Sequence, residues 1–149
     1  MILAQFELPS LIRLIEASIP AAHADAAAVW VLDERNQSFR IAKNFGRGGS
    51  DIEGLLLPSN QGVVSSVFTL GAEQIEQDAA AHPDRSMDID VKLNQRTTAQ
   101  ATFPLKEGSR VVAILTFVQL FRSVQPRTAF GFSNSDLELM RAICQLIVS

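Results

Sequence analysis

Two histidines, one cysteine, one tryptophan and scattered carboxylates are the side chains from which any chemistry in this chain must be built. His23 and His82 stand far apart, so no pair sits at metal-ligand spacing, and Cys144 has no Cys or His cluster around it to make a zinc site. A nucleophilic cysteine wants an electropositive, accessible setting, whereas Cys144 falls in an apolar run where a buried, inert thiol is expected. Asp88 and Asp90 are close in sequence, but they lie in a polar stretch that reads as a solvated face without a division into acid and base. A Gly-x-Ser-x-Gly elbow and a phosphate-cradling glycine loop are both missing. Trp30 offers an aromatic face for a ligand, although its place in an apolar strand favours a core role. These residues predict no enzyme.

The elements that must position them are ordinary globular ones. The chain has 149 residues, 47% hydrophobic and 19% charged, with a formal net charge of −3. A domain of this length buries roughly 70% of the surface that its unfolded chain exposes, so a core forms without disulfide staples. A single cysteine fits a reducing compartment, and scattered Lys and Arg residues with a pI near 5.3 lack the basic footprint of a nucleic-acid binder. Glu7, Arg13 and Glu16 interrupt any secretory apolar segment, and Val111–Leu120 is too short to span a bilayer as a helix. A cytoplasmic protein is expected, with no nucleic-acid or membrane contact.

Along the chain, Leu11, Ile12, Leu14, Ile15 and Ile19 share the spacing of one helical face, which predicts a helix from about Leu8 to Ile19, with Pro20 ending it. Ala26–Leu32 and Ser38–Phe45 read as a hairpin about a polar turn, the second strand alternating Phe39, Ile41 and, more loosely, Phe45 on one face. Leu55–Pro58 is a short apolar piece. Val63, Val67 and Leu70 predict a helix from Gly62 that stops at Gly71. Glu73–Gln77 is a brief strand centred on Ile75, and His82–Arg96 a loose helix or loop. Thr98–Leu105 and Arg110–Leu120 form a second hairpin through Lys106-Glu107-Gly108-Ser109. An irregular connection from Phe121 to Gly131 leads to a last helix capped by Ser133 or Ser135 and running through Leu137, Met140, Cys144 and Ile147. Hairpins make an antiparallel sheet, the terminal helices cover one face, and the short, polar middle segments roof the other, leaving room for a small-molecule pocket.

This order of elements resembles the GAF domain family over nearly the whole chain. Ala28-Val29-Trp30-Val31-Leu32-Asp33 is similar to the family's first strand. Gln61-Gly62-Val63-Val64 followed by Thr69-Leu70-Gly71 resembles its glycine-started helix. Ile75-Glu76-Gln77-Asp78 with His82-Pro83, Thr102-Phe103-Pro104-Leu105, Val111-Val112-Ala113-Ile114-Leu115, and then Phe132, Asp136 and Leu139 follow in the expected sequence. The block from Gly62 to Lys106 looks most like regulatory domains of cyclic-nucleotide phosphodiesterases. The resemblance implies an α+β, GAF/PAS-like fold: a central antiparallel sheet with N- and C-terminal helices on one face and short helices and loops roofing a pocket on the other. It implies a pocket wall of Val63, Val64, Ser86, Asp90, Leu93 and Thr97, with Thr116 on the strand floor. Asp90 and Thr97 are the candidates for a ligand's polar edge.

The departures from the family shape the expectation. Cyclic-nucleotide-binding members carry an Asn-Lys…Phe…Asp-Glu signature, where this chain has Gln119-Leu120, Phe132 and Asp136-Leu137. Leu93 replaces a polar ligand contact and Thr116 an acidic one, so the partners that select a nucleotide are thinned out. A haem-binding member needs an axial histidine, for which His82 alone is placed. Bilin-attaching members hold their cysteine near the pocket and the family's methionine-sulfoxide reductases use several, so Cys144 fits neither. The expectation is one sensory domain over residues 1–149, excised from a longer signalling protein, with an output domain in cis and no cofactor. A small-molecule effector occupies the pocket, and a homodimer forms through the terminal helices. The alternative is a GAF-like dimerisation and interaction module whose pocket is vestigial, filled by Phe103, Phe117 and Leu93.

Overall fold

The computed structural model describes residues 2–46, 52–60, 62–78, 97–121 and 131–149. His82–Arg96, including Ser86, Asp90 and Leu93, and nearly all of the connection from Phe121 to Gly131 lie outside them. The described elements are α1 (Ile2–Gln5), α2 (Pro9–Ala21), β1 (Ala26–Asp33), β2 (Ser38–Gly46), β3 (Leu56–Pro58), α3 (Gly62–Leu70), β4 (Gln74–Glu76), β5 (Thr97–Glu107), β6 (Arg110–Leu120) and α4 (Asn134–Val148). The strands form one antiparallel sheet in the order β3-β2-β1-β6-β5-β4. The expected α+β architecture is the observed one.

Strand parity sorts the side chains into two cores. On one face Val29, Ala101, Phe103, Leu105, Leu115 and Phe117 pack against Phe6, Ile15, Ile19, Met140, Ile143 and Ile147 of the N- and C-terminal segments. On the other face Ala28, Trp30, Phe39, Ile41 and Ile114 pack against Val63, Val64 and Val67 of α3, with Ile52 and Leu57. Phe103 and Phe117 meet edge to face with ring centroids 6.2 Å apart. They belong to the helix-side core, so they do not fill the pocket side as the vestigial-pocket alternative expects. Their positions along β5 and β6 have the parity of the face that α2 and α4 cover.

Local irregularities explain where the sequence pattern misleads. Val29 pairs with Lys43 while Trp30 pairs with Ile41, so Ala42 is an extra residue in β2. That bulge reverses parity: Phe39 and Ile41 join the α3 side, whereas Phe45 joins the terminal-helix side. Pro20 does not end α2 but sits in its last turn, where the lost N–H costs one bond and Ala22 and Ala24 still cap the turn onto Ser18 and Ile19 carbonyls. Glu107 pairs with Arg110, which shortens the predicted four-residue turn to Gly108-Ser109, with Gly108 at φ 63°. Glycine at the first central position of a two-residue hairpin loop supplies that angle without strain. Ile2–Gln5 is a helical turn that the apolar spacing did not single out. Among the described residues, no helix is long and apolar enough to cross a membrane.

Candidate functional site

The sheet face opposite the terminal helices carries a polar strip across an apolar floor. Thr116 on β6 pairs laterally with Ala28 of β1 and with Thr102 of β5, and Thr102 pairs with Gln74 of β4. One register step away Gln100 pairs with Glu76. These residues share a face with Trp30 and Ile114 because pleated strands place alternate side chains together. Thr102, Thr116 and Glu76 are buried, while Gln74 and Gln100 are half-buried. Buried polar groups are retained only where hydrogen bonds compensate their desolvation, so the bonding on this strip is informative.

Trp30 Nε1 donates to Thr116 Oγ1 at 3.2 Å, and Thr116 Oγ1 lies 3.4 Å from the Ala28 carbonyl that accepts its proton. Gln100 Nε2 donates to Thr102 Oγ1 at 3.2 Å, and Gln74 Nε2 donates to Ser66 Oγ of α3 at 2.6 Å. Thr116 is therefore occupied as donor and as acceptor. The Thr102 hydroxyl keeps its proton and Gln100 keeps its Oε1 without a partner among the described residues. An O–H donor beside an amide oxygen acceptor complements an amide, lactam or heterocycle edge.

The sequence-derived site residues are partly brought together. Val63 and Val64 are buried on α3 above the same face that carries Thr116. Thr97 is buried at the start of β5, opposite Leu120. Ser86, Asp90 and Leu93 lie outside the described residues. Trp30 is a core residue with its indole N–H satisfied. Gln100 and Thr102 are the polar floor residues that sequence reasoning missed. They sit in a strand read for its apolar members, and only the pairing of β4 with β5 and β6 brings them beside Glu76 and Thr116.

The positions of the family signature build something else. Gln119, fully buried on β6, donates through Nε2 to the carbonyls of His23 and Gly131 at 2.8 Å each, and its Oε1 accepts from Gly131 N at 2.8 Å. Gln77 holds Phe132 in the same two-way manner, at 2.8 and 2.6 Å. Asp136 Oδ2 accepts from Ser133 N at 2.9 Å, Ser133 Oγ accepts from Asp136 N at 3.1 Å, and Asp136 Oδ1 lies 2.8 Å from His23 Nδ1. This is a capping box extended to the loop before β1. The signature residues thus fasten the start of α4 to the sheet, away from the polar floor.

Cys144 lies partly buried at the edge of the helix-side core. Desolvation, helped by the charge of Glu73, pushes its thiol up to about 12, the direction of an unreactive cysteine. Among the described residues no group of His, Cys, Asp or Glu is arranged to hold a metal ion.

The chain has the GAF domain fold. The GAF domain from a phosphoenolpyruvate-protein phosphotransferase of Coxiella burnetii superposes with a TM-score of 0.73 at 16% identity, over 97% of this chain and 84% of that one. The second GAF domain of DevS from Mycobacterium smegmatis matches at 0.63 and 17% identity, over 93% and 88%. Free methionine-R-sulfoxide reductase from Neisseria meningitidis, solved in complex with its substrate, matches at 0.65 and 14% identity, over 99% and 81%. No protein-family model matches the sequence, and no curated protein does.

Proposed function

We propose that this chain is a regulatory, small-molecule-sensing domain of a signal-transduction protein, acting without catalysis on an output domain in cis. The observation that carries the reading is the polar strip of Gln100, Thr102 and Thr116, with Gln74 and Glu76 beside it, on the sheet face that also carries Trp30 and Ile114. A floor built for packing alone has no use for a buried threonine hydroxyl and a half-buried amide oxygen that keep hydrogen-bonding capacity in reserve. The preferred ligand is a small molecule with an amide-like donor and acceptor edge. Val63 and Val64 supply an apolar wall and Thr116 holds Trp30 in place, while Ser86, Asp90, Leu93 and Thr97 complete the wall as the family resemblance implies. Binding acts by population shift, so the ligand must favour one arrangement of the covering segments over another.

Native mass spectrometry of the gently purified chain tests this reading, followed by thermal shift against a metabolite panel that includes cyclic nucleotides. Trp30, the sole tryptophan, sits on the floor and reports occupancy by fluorescence. A copurified mass lost on denaturation, or a ligand that raises the melting temperature and shifts the Trp30 emission, supports the proposal. Thr102→Val and Gln100→Leu should each remove that response while leaving the fold intact. A well-folded sample that no compound moves counts against it.

A second reading, a dimerisation and interaction module, is favoured by one observation. Leu8, Leu14 and Leu146 on and beside the terminal helices are 53%, 39% and 55% exposed. A homodimer through these helices would cover them. Sedimentation of the apo chain separates the two readings: dimers regardless of ligand favour this one, and a strict monomer at high concentration opposes it.

A further inference from the structure

A second concavity lies at the turn end of the sheet, apart from the polar floor. It is an open cleft of about 900 Å³ between the C-terminal turn of α3, the β5–β6 hairpin, the end of β1 and the start of α1, within the roughly 300–1,000 Å³ range of small-molecule sites. Its walls come from the margins of both cores. Leu32, Phe68 and Val111 belong to the α3 side, and Val31 and Val112 to the helix side. Val112 is the extra residue where Leu105 pairs with Ala113 but Lys106 pairs with Val111. That bulge lets Val111 and Val112 line the same cleft. Leu70, 69% exposed, forms its lip.

The charges of the cleft are unevenly matched. Arg40, Lys106 and Arg110 line it with Glu34 and Glu107. Glu107 stands opposite Arg110 across the hairpin, and Arg40 acts on the neighbouring Asp33. Lys106 is half-buried, has no ion-pair partner among the described residues, and stands at the C-terminal end of α3. A Cβ at position 71 would lie 3.4 Å from its Nζ. The helix end favours a cation there, and although Glu34 and Glu107 share the cleft, neither forms an ion pair with Lys106.

We propose that this cleft binds an amphiphilic carboxylate, with its aliphatic chain along Leu70, Val111 and Val112 and its head group on Lys106. Lys106, in no ion pair among the described residues, selects the charge, and the aliphatic lining selects a chain over a compact anion. This site is independent of the polar floor, so either proposal survives the failure of the other.

Calorimetric titration of the full chain with decanoate, below its micelle concentration, tests the proposal. Decanol serves as the uncharged analogue and an acidic peptide without an aliphatic chain as the charged one. One decanoate per chain is expected, bound about tenfold or more tighter than decanol, a difference of about 1.4 kcal/mol. Lys106→Met, which keeps the stem, and Leu70→Asp on the exposed lip should each weaken it by about that factor. Arg35→Met and the floor variant Thr102→Val should leave it unchanged. The proposal is overturned by any of three results: no saturable binding below about 1 mM, equal affinity for decanol or the acidic peptide, or unaltered binding by both cleft variants.

Discussion

Replacing Asp136 with alanine tests whether the start of α4 is held by its extended capping box. The carboxylate is buried and takes two partners, Ser133 N at 2.9 Å and His23 Nδ1 at 2.8 Å. Losing the side-chain half of a capping box costs about 1 kcal/mol, and a buried charge-assisted bond raises that toward 2. The His23 side chain is 55% exposed, so solvent screening holds its share below about 1 kcal/mol. The expected loss is therefore roughly 2 kcal/mol, most of it from the cap. Ser133→Ala should cost about 1 kcal/mol, because one bond of the box survives. His23→Gly makes the sharper comparison. His23 occupies φ 59°, a strained angle for a side-chain residue, so glycine relieves about 1 kcal/mol while losing the screened bond, and the two effects nearly cancel. Urea unfolding followed by Trp30 fluorescence measures all three. An Asp136→Ala chain within about 0.5 kcal/mol of wild type would refute the reasoning, as would His23→Gly costing as much as Asp136→Ala.

Cys144 should resist thiol reagents at pH 8 in the native protein and label readily in urea, since a thiol raised to about 12 carries roughly a thousandfold less thiolate than an ordinary one. The raised group keeps its proton longer in the folded state, so between pH 9 and 12 stability should fall as pH rises, by at most about 1.4 kcal/mol per unit. Cys144→Ser, which leaves the acidic side unchanged, should flatten that slope. Gly46→Ala should destabilise by more than about 1 kcal/mol, because Gly46 sits at φ 84° and a Cβ would lie 2.6 Å from the Asp25 carbonyl; thermal melts read this directly. Glu73→Ala breaks three contacts to Arg141 of 2.7 to 3.1 Å. Both side chains are substantially exposed, so the loss in urea midpoint should correspond to under about 1 kcal/mol and shrink with added salt.

The elements were readable because period and punctuation agreed along most of the chain. Ile12, Ile15 and Ile19 announced α2, and the glycine-bearing turn announced the β5–β6 hairpin. What the sequence hid was pairing. Phe45 continued an apparent alternation with Phe39 and Ile41, yet the extra residue Ala42 turned it to the opposite face. No local feature marks Ala42, since a bulge is settled by which residues of the neighbouring strand find partners. Gln100 and Thr102 escaped notice for the same reason. In a strand read singly they are surface polar residues, and only the lateral registers to Glu76 and Thr116 make them a buried strip.

The signature positions lie apart from the polar floor, which bears on how a ligand at the proposed floor site would be felt elsewhere in the domain. Gln119, Phe132 and Asp136 secure the entrance of α4 to β6 and to the loop after α2. Gln77 lies next to Glu76 in sequence, so the segment that forms one end of the floor also grips Phe132 through its backbone. A ligand that drew β4 or its following turn toward the floor would therefore pull on the residue preceding the cap of α4. The joint contains two glutamine amides, each satisfied in both directions by backbone. Substituting the floor at Thr102 should alter what binds, whereas substituting Gln77 should alter how far binding is felt at α4. A Gln77→Ala chain that still binds ligand at Trp30, yet shows no ligand-dependent change in hydrogen exchange along Asn134–Val148, is the outcome this coupling requires.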